Sequence, residues 1–126
     1  MYQETRHVAK GGPTVHLQGS ARLLITAADE QLPGAFGQGC ALLLEGVERD
    51  RSLNQAAKAI GMAYSKAWRL VREAEAHLGF ELLVREGARG SHLTEEGKQA
   101  LLAYRTLQHE VEELLEQRMP ELFGNR

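Results

Sequence analysis

A mainly α fold with one small β-hairpin and a long C-terminal helix is what the sequence predicts, on three observations. Residues 52–78 read as two short helices joined by a glycine turn. Residues 80–93 hold two apolar stretches around a glycine-rich turn. From Thr94 to about Arg118 apolar residues recur at helical spacing without a proline. A helix pair, a hairpin and a further helix in that order give a winged helix-turn-helix followed by a dimerisation helix.

Along the chain, residues 1–14 are expected to be a flexible leader ending in Gly11-Gly12-Pro13. Val15-His16-Leu17 and Arg22-Leu23-Leu24-Ile25-Thr26 read as short strands about a Gly19-Ser20 turn, although their alternation is imperfect. Ala27–Gly39, with Pro33 and several glycines, reads as a loop. A first helix follows from about Gln38 to Arg49, with Leu43, Leu44 and Val47 facing inward, and Asp50-Arg51 links it to the next.

The helix pair is the most informative stretch. Ser52 is placed to cap its first helix, and Gln55 three residues on completes a capping-box arrangement. Ala56, Ala57 and Ala59 keep that helix slim enough for close crossing by another. Gly61 supplies the turn, since glycine takes a left-handed conformation without steric cost. The second helix spans about Tyr64–Leu78, and Ala67, Leu70, Val71, Ala74 and Leu78 fall on its inward face. Ser65, Arg69 and Arg72 share another face with Lys66 beside them. A polar, cationic N-terminal half on such a helix is what a major-groove reader requires, so Ser65, Lys66 and Arg69 are the candidate groove contacts. Tyr64 can reach a phosphate or a thymine methyl, and Arg72 is placed for a phosphate. Trp68 is read as core filling over a DNA contact.

Phe80–Arg85 reads as a strand, Gly87-Ala88-Arg89-Gly90-Ser91 as a turn and His92-Leu93 as the start of the return strand. Placed after a recognition helix, this hairpin is a wing whose phosphate-facing groups are Arg85, Arg89 and His92. The alternative is an ordinary surface hairpin. Thr94 caps the last helix, with Glu95 and Glu96 at its positive end. Some two dozen residues at about 1.5 Å each make it longer than a compact domain needs. Tyr104, Leu107, Val111 and Leu114 form a three-four stripe broadened by Leu101, Leu115 and Met119, which reads as the seam of a homodimer. Packing against the chain's own core is the competing reading. Glu110, Glu112, Glu113 and Glu116 make the far half acidic, so it should point away from DNA.

Composition narrows the classes. The 126 residues suffice for one domain, and 43% hydrophobic with 25% charged residues is ordinary for a globular protein. Net charge is −2, which alone argues against a nucleic-acid partner. Its distribution reverses that: residues 51–92 carry seven basic and four acidic side chains, a local surplus of three. Phosphate attraction depends on the local field, so a patch suffices. No apolar stretch could span a bilayer and the N-terminus lacks a secretory core, so a cytoplasmic protein without a membrane partner is expected. The single Cys40 lies in an apolar run and is expected to be a buried small hydrophobe. Catalysis, cofactors and metals are not expected. Gly37-Gln38-Gly39 precedes a helix but lacks a Walker lysine, and His7, His16, His77, His92 and His109 make no metal-ligand pair.

The pieces Phe36-Gly37-Gln38-Gly39, Ser52-Leu53-Asn54-Gln55-Ala56-Ala57-Lys58, Gly61-Met62-Ala63-Tyr64, Ala67-Trp68, Leu83-Val84 and Leu93-Thr94-Glu95-Glu96-Gly97 carry a family likeness. Over about residues 15–118 the chain resembles the N-terminal DNA-binding domain of the ModE family of bacterial molybdate-responsive regulators, and more distantly the LysR-type winged helices. The resemblance implies a winged helix-turn-helix homodimer on operator DNA near molybdate-transport or molybdoenzyme genes. Three departures stand out. Ala63 replaces the serine common before the tyrosine, which removes a cap from the recognition helix. The glycine-rich wing is shortened. The chain stops at Arg126, where full-length ModE proteins continue into molybdate-binding β-barrels, so molybdate sensing by this chain is not expected.

The division expected is therefore a leader (1–14), a winged helix-turn-helix domain with N-terminal strands (15–93), and a long helix with its tail (94–126). The expected function is sequence-specific transcription regulation through double-stranded DNA. The alternative is a winged-helix module that binds protein, or a partner subunit of a separate sensor.

Overall fold

The computed structural model describes residues 15–124, so the expected leader lies outside the described residues. Among the described residues four α-helices, two short strands and a single 3-10 turn follow one another: α1 Gln38–Asp50, α2 Leu53–Ala59, α3 Tyr64–Leu78, β1 Leu83–Arg85, the turn Gly87–Arg89, β2 Ser91–Leu93 and α4 Glu95–Phe123. The mainly helical fold with a hairpin after the helix pair is thus the observed one.

Local chemistry sets the boundaries of the helix pair. The Ser52 hydroxyl accepts the Gln55 N–H at 3.1 Å and starts α2. The reciprocal half of a capping box does not form, because the exposed Gln55 side chain makes no bond back to Ser52 among the described residues. Gly61 turns the chain at φ +68°, and Met62 N–H returns to the Ala57 carbonyl at 2.9 Å. At α3 the N-cap is Ala63, whose side chain offers no acceptor, while Gly79 at φ +84° closes the other end on the Glu75 carbonyl. Helix α1 crosses α2 closely. A Cβ on Gly46 would stand 2.5 Å from the Ala56 methyl, so glycine facing alanine sets the separation.

One apolar core holds Leu43, Leu44 and Val47 of α1, Leu53, Ala56 and Ala57 of α2, Ala67, Val71 and Ala74 of α3, Leu82, Leu83 and Leu93 of the hairpin, and Leu101 and Tyr104 of α4. The inward positions read from the helical spacing are therefore buried, with Leu70 and Leu78 half-buried at the edge. Cys40 sits inside this core, where burial, and secondarily the Glu75 carboxylate, push its thiol up from 9.0 to about 12. A raised value means the folded state keeps its proton while the unfolded chain has lost it. The thiol's contribution to stability is therefore full below pH 9.0 and is lost as pH rises through about 12. We expect native protein at pH 8 to resist a thiol reagent that labels the denatured chain at once; equal labelling rates would place Cys40 at the surface.

Three expectations are corrected. Neither N-terminal strand forms: in residues 15–26 the only pairing is one antiparallel bridge, Ile25 with Phe36, whose backbone groups exchange two 2.9 Å bonds. Val15 and Leu17 alternate toward no second sheet face and remain exposed, and Gly19 lies against Leu115 and Met119 of a helix instead. Next, α4 does not end before Pro120 but runs through it to Phe123. Proline removes one donor, owed to the Glu116 carbonyl, and this exposed residue leaves that oxygen to water. The stop is Gly124 at φ +76°, whose N–H bonds the Pro120 carbonyl at 2.8 Å. Finally, Tyr104 leaves the expected dimer seam. It is 1% exposed, stacks 5.0 Å from Phe36 and donates its hydroxyl to the Leu23 carbonyl at 2.8 Å.

By contacts the chain forms two compact units. Arg22–Gln108 make the larger one, which holds the core, the helix pair, the hairpin and the first half of α4. The described residues 15–21 and 109–124 make the smaller, in which the N-terminal segment lies along the second half of α4.

Candidate nucleic-acid interface

The exposed side of α3 is built by exclusion. Ala67, Val71 and Ala74 take the core face, which leaves Tyr64, Ser65, Lys66, Arg69 and Arg72 exposed in the first two and a half turns. All five are residues the sequence singles out, and one helix presents them together. No side chain caps the α3 N-terminus and its first turn holds no carboxylate, so the positive end of the helix dipole stays uncompensated there.

The cations differ in their freedom. Arg69 lies 3.5 Å from Glu73, and Arg72 lies 3.3 Å from Glu75; both are loose pairs on exposed guanidiniums, each worth a fraction of a kcal/mol, about 0.3–0.5. Lys66, Arg85 and Arg89 have no carboxylate within pairing distance among the described residues. Such cations can change an existing weak partner for a phosphate at little cost.

The hairpin stands beside this face through contacts the sequence does not disclose. Leu83 pairs with Leu93, Val84 with His92 and Arg85 with Ser91. Arg85 and Arg89 are exposed, the latter in the 3-10 turn. His92 is instead half-buried, its Nδ1 3.3 Å from the Glu86 carboxylate, so it spans the hairpin rather than reaching freely outward. Ser91 N–H bonds the carbonyl of Arg51 at 2.9 Å, and Arg51 holds a left-handed φ of 57°. That unusual conformation for a non-glycine residue anchors the hairpin to the link between α1 and α2.

Two side chains with positioning roles, Glu75 and His77, escaped the sequence reading, and a third, Trp68, has surroundings beyond those read from it. Glu75 accepts the Leu82 N–H at 2.8 Å on its second oxygen, which ties the end of α3 to the start of the hairpin. His77 accepts the Ala27 N–H on Nδ1 at 2.9 Å and faces the Pro33 carbonyl with Nε2 at 3.1 Å, a geometry that calls for the Nε2–H tautomer and fixes the loop before α1. Trp68, read as core filling, is half-buried: the Tyr64 ring meets it edge-on at 6.4 Å, and the guanidiniums of Arg72 and Arg85 lie 4.8 and 5.3 Å from its centroid. Its Nε1–H is buried without an acceptor among the described residues, a deficit of about 1–3 kcal/mol. The partners of Glu75 and His77 lie 7 to 50 residues away in sequence, so no local pattern announces them. Tyr64 and Arg72 stand one helical turn from Trp68, and only Arg85 reaches it from another element.

On α4 the remaining stripe divides. Leu107 and Leu114 are 44% and 55% exposed, and Val111 is half-buried. Glu110, Glu112, Glu113 and Glu116 are all exposed, and the helix starts on Thr94, whose hydroxyl accepts the Gly97 N–H at 2.8 Å. No group of three or more His, Cys, Asp or Glu gathers as a metal site among the described residues, and no helix there is long and apolar enough to cross a membrane.

Residues 42–98 match the family model of the bacterial regulatory helix-turn-helix proteins of the LysR family. The match starts inside α1, takes in α2, α3 and the hairpin, and ends in the first turn of α4. This part of the chain is similar to the LysR-type helix-turn-helix DNA-binding domains. No curated protein matches the chain.

Proposed function

We propose that the chain is a sequence-specific transcription regulator that reads an operator with the exposed face of α3. One observation carries the proposal: Ser65, Lys66 and Arg69 stand together, solvent-exposed, at the uncapped start of the second helix of a LysR-type helix-turn-helix. An arginine or lysine there can read guanine through bonds worth about 1–3 kcal/mol per base. Tyr64 and Arg72 take flanking phosphates, and Arg85 and Arg89 extend the contact from the wing; His92 supports the hairpin through Glu86. A protein-docking module would need an apolar surface on α3, whereas Lys66, Arg69 and Arg72 occupy it. The ModE resemblance nominates the flanks of molybdate-transport and molybdoenzyme genes as the first operators to try, in a cytoplasmic setting.

The test is fluorescence-anisotropy titration with duplexes from the chain's own upstream region and from those flanks, across a salt series and with or without molybdate. Specific binding outcompetes random DNA and weakens steeply with salt. Binding no tighter than to random DNA, for those duplexes and for a genomic fragment pool alike, would turn the reading toward a protein partner.

Homodimerisation through α4 belongs to the same proposal. Leu107, Val111 and Leu114 keep the three-four spacing, and the exposed Leu122 and Phe123 add apolar surface beyond them. Two-fold pairing would set two reading helices about one DNA turn apart. We expect Leu114→Glu to convert a dimer to monomer in sedimentation and to lower operator affinity more than affinity for a half-site. A monomeric wild type, or a Leu114→Glu dimer, would refute the seam.

A further inference from the structure

Trp68 is the point where α3 and the wing share a side chain. Arg72, one turn further along α3, and Arg85, on β1, bring their guanidiniums to 4.8 and 5.3 Å from the same ring centroid. Two like charges from different elements would ordinarily separate into water. The negative face of an indole offsets their repulsion, and tryptophan does this better than any other ring. A guanidinium that meets a ring through its face keeps its in-plane N–H donors for a third group. Of the two, only Arg72 has a carboxylate within pairing distance among the described residues, Glu75 at 3.3 Å, so the pair retains positive charge. The indole N–H makes no hydrogen bond among the described residues, so packing and stacking alone place the ring.

We infer that Trp68 is a positioning residue whose ring gathers Arg72 and Arg85 into one phosphate-binding pair, so that recognition helix and wing grip the DNA backbone as a unit. The inference rests on DNA binding by residues 42–98 and adds to it a specific coupling between two elements. An anion received by both guanidiniums would gain a charge-assisted contact from each element. Because a phosphate carries no base identity, the contribution is the same on operator and random duplex.

The test compares wild type, Trp68→Phe and Trp68→Leu on a labelled mixed-sequence duplex over a salt series, with circular dichroism confirming the fold. Trp68→Leu removes the π face and is expected to weaken binding about tenfold at low salt. It should also lower the slope of log affinity against log salt by about 0.9 or more, one phosphate's share of released counterions. Trp68→Phe keeps a ring while deleting the unpartnered N–H, and is expected to stay within about threefold of wild type. A wild-type slope in Trp68→Leu, or an equal loss in both variants, would overturn the inference. Should Trp68→Leu fail to fold, the single tryptophan is itself the probe. Adding duplex should change its emission, and Arg85→Ala, a surface change, should remove most of that response; an undiminished response would overturn the coupling. A wild type that binds no duplex at any salt overturns the DNA-binding reading, and the inference with it. A binding wild type with unaltered variants overturns the inference alone.

Discussion

Lys66→Glu combined with Arg69→Glu is expected to lower affinity for duplex DNA at least about a hundredfold at moderate salt while the domain stays folded. Each reversal removes one favourable charged contact with the groove and adds a repulsion from the surrounding phosphates. At about 1 kcal/mol apiece for a solvated contact near 4 Å, four such changes sum to about 4 kcal/mol, and about 1.4 kcal/mol is tenfold in affinity. The fold is protected because both side chains are exposed. The loss to it is the loose 3.5 Å pair between Arg69 and Glu73, replaced by a like-charge i,i+4 contact costing about 0.3–0.5 kcal/mol. Anisotropy on operator and random duplexes, with a thermal melt as control, measures both quantities. Binding within threefold of wild type at an unchanged melting temperature would remove the exposed face of α3 from the interface.

What the sequence discloses about this face is what local chemistry decides. The bounds of α3 follow from a residue that leaves the Gly61 turn and a glycine that closes on Glu75, both within one helical turn of the ends they define. The Ser52 cap and the inward Ala67, Val71 and Ala74 are local in the same sense. Features that depend on distant partners were not legible. Val15–Leu17 and Arg22–Thr26 have strand-like composition, but a strand needs a neighbour, and only Ile25 finds one in Phe36. Tyr104 shares the periodicity of Leu107 and Leu114, yet the carbonyl of Leu23 and the ring of Phe36 draw it into the core. Pro120 has the signature of a helix stop, but in the final exposed turn its missing donor costs little and Gly124 sets the end. The Trp68 stack joins residues of α3 to Arg85 of the wing, a pairing that exists only once the hairpin has folded back.

Gly97→Ala is expected to destabilise the domain by more than about 2 kcal/mol, against the direction that helix propensity gives. In an open helix the change would gain about 0.8–1 kcal/mol, because glycine loses the most backbone freedom on folding. Here a Cβ would stand 2.1 Å from the Leu82 carbonyl oxygen and 2.9 Å from its carbon, well inside van der Waals contact. The obstacle is backbone that cannot yield independently. Leu82 accepts the Thr94 N–H at 3.0 Å through that same oxygen and donates its own N–H to Glu75 at 2.8 Å. The Thr94 hydroxyl adds a bond to the Glu81 carbonyl at 2.6 Å while it caps α4. Relief therefore requires the first turn of α4 to move off the hairpin's root, with loss of one or more of these bonds at about 1 kcal/mol each. In the sequence Gly97 stands only as the last residue of a stretch that carries the family likeness; the structure makes it the contact that lets α4 seat against the start of the wing. Since β1 begins at Leu83, the same displacement would shift Arg85 away from Trp68. The variant should consequently melt several degrees lower and lose duplex affinity in proportion to the wing's share of the phosphate contacts. A Gly97→Ala protein that melts higher than wild type would show that helix propensity prevails and that α4 is not held this closely.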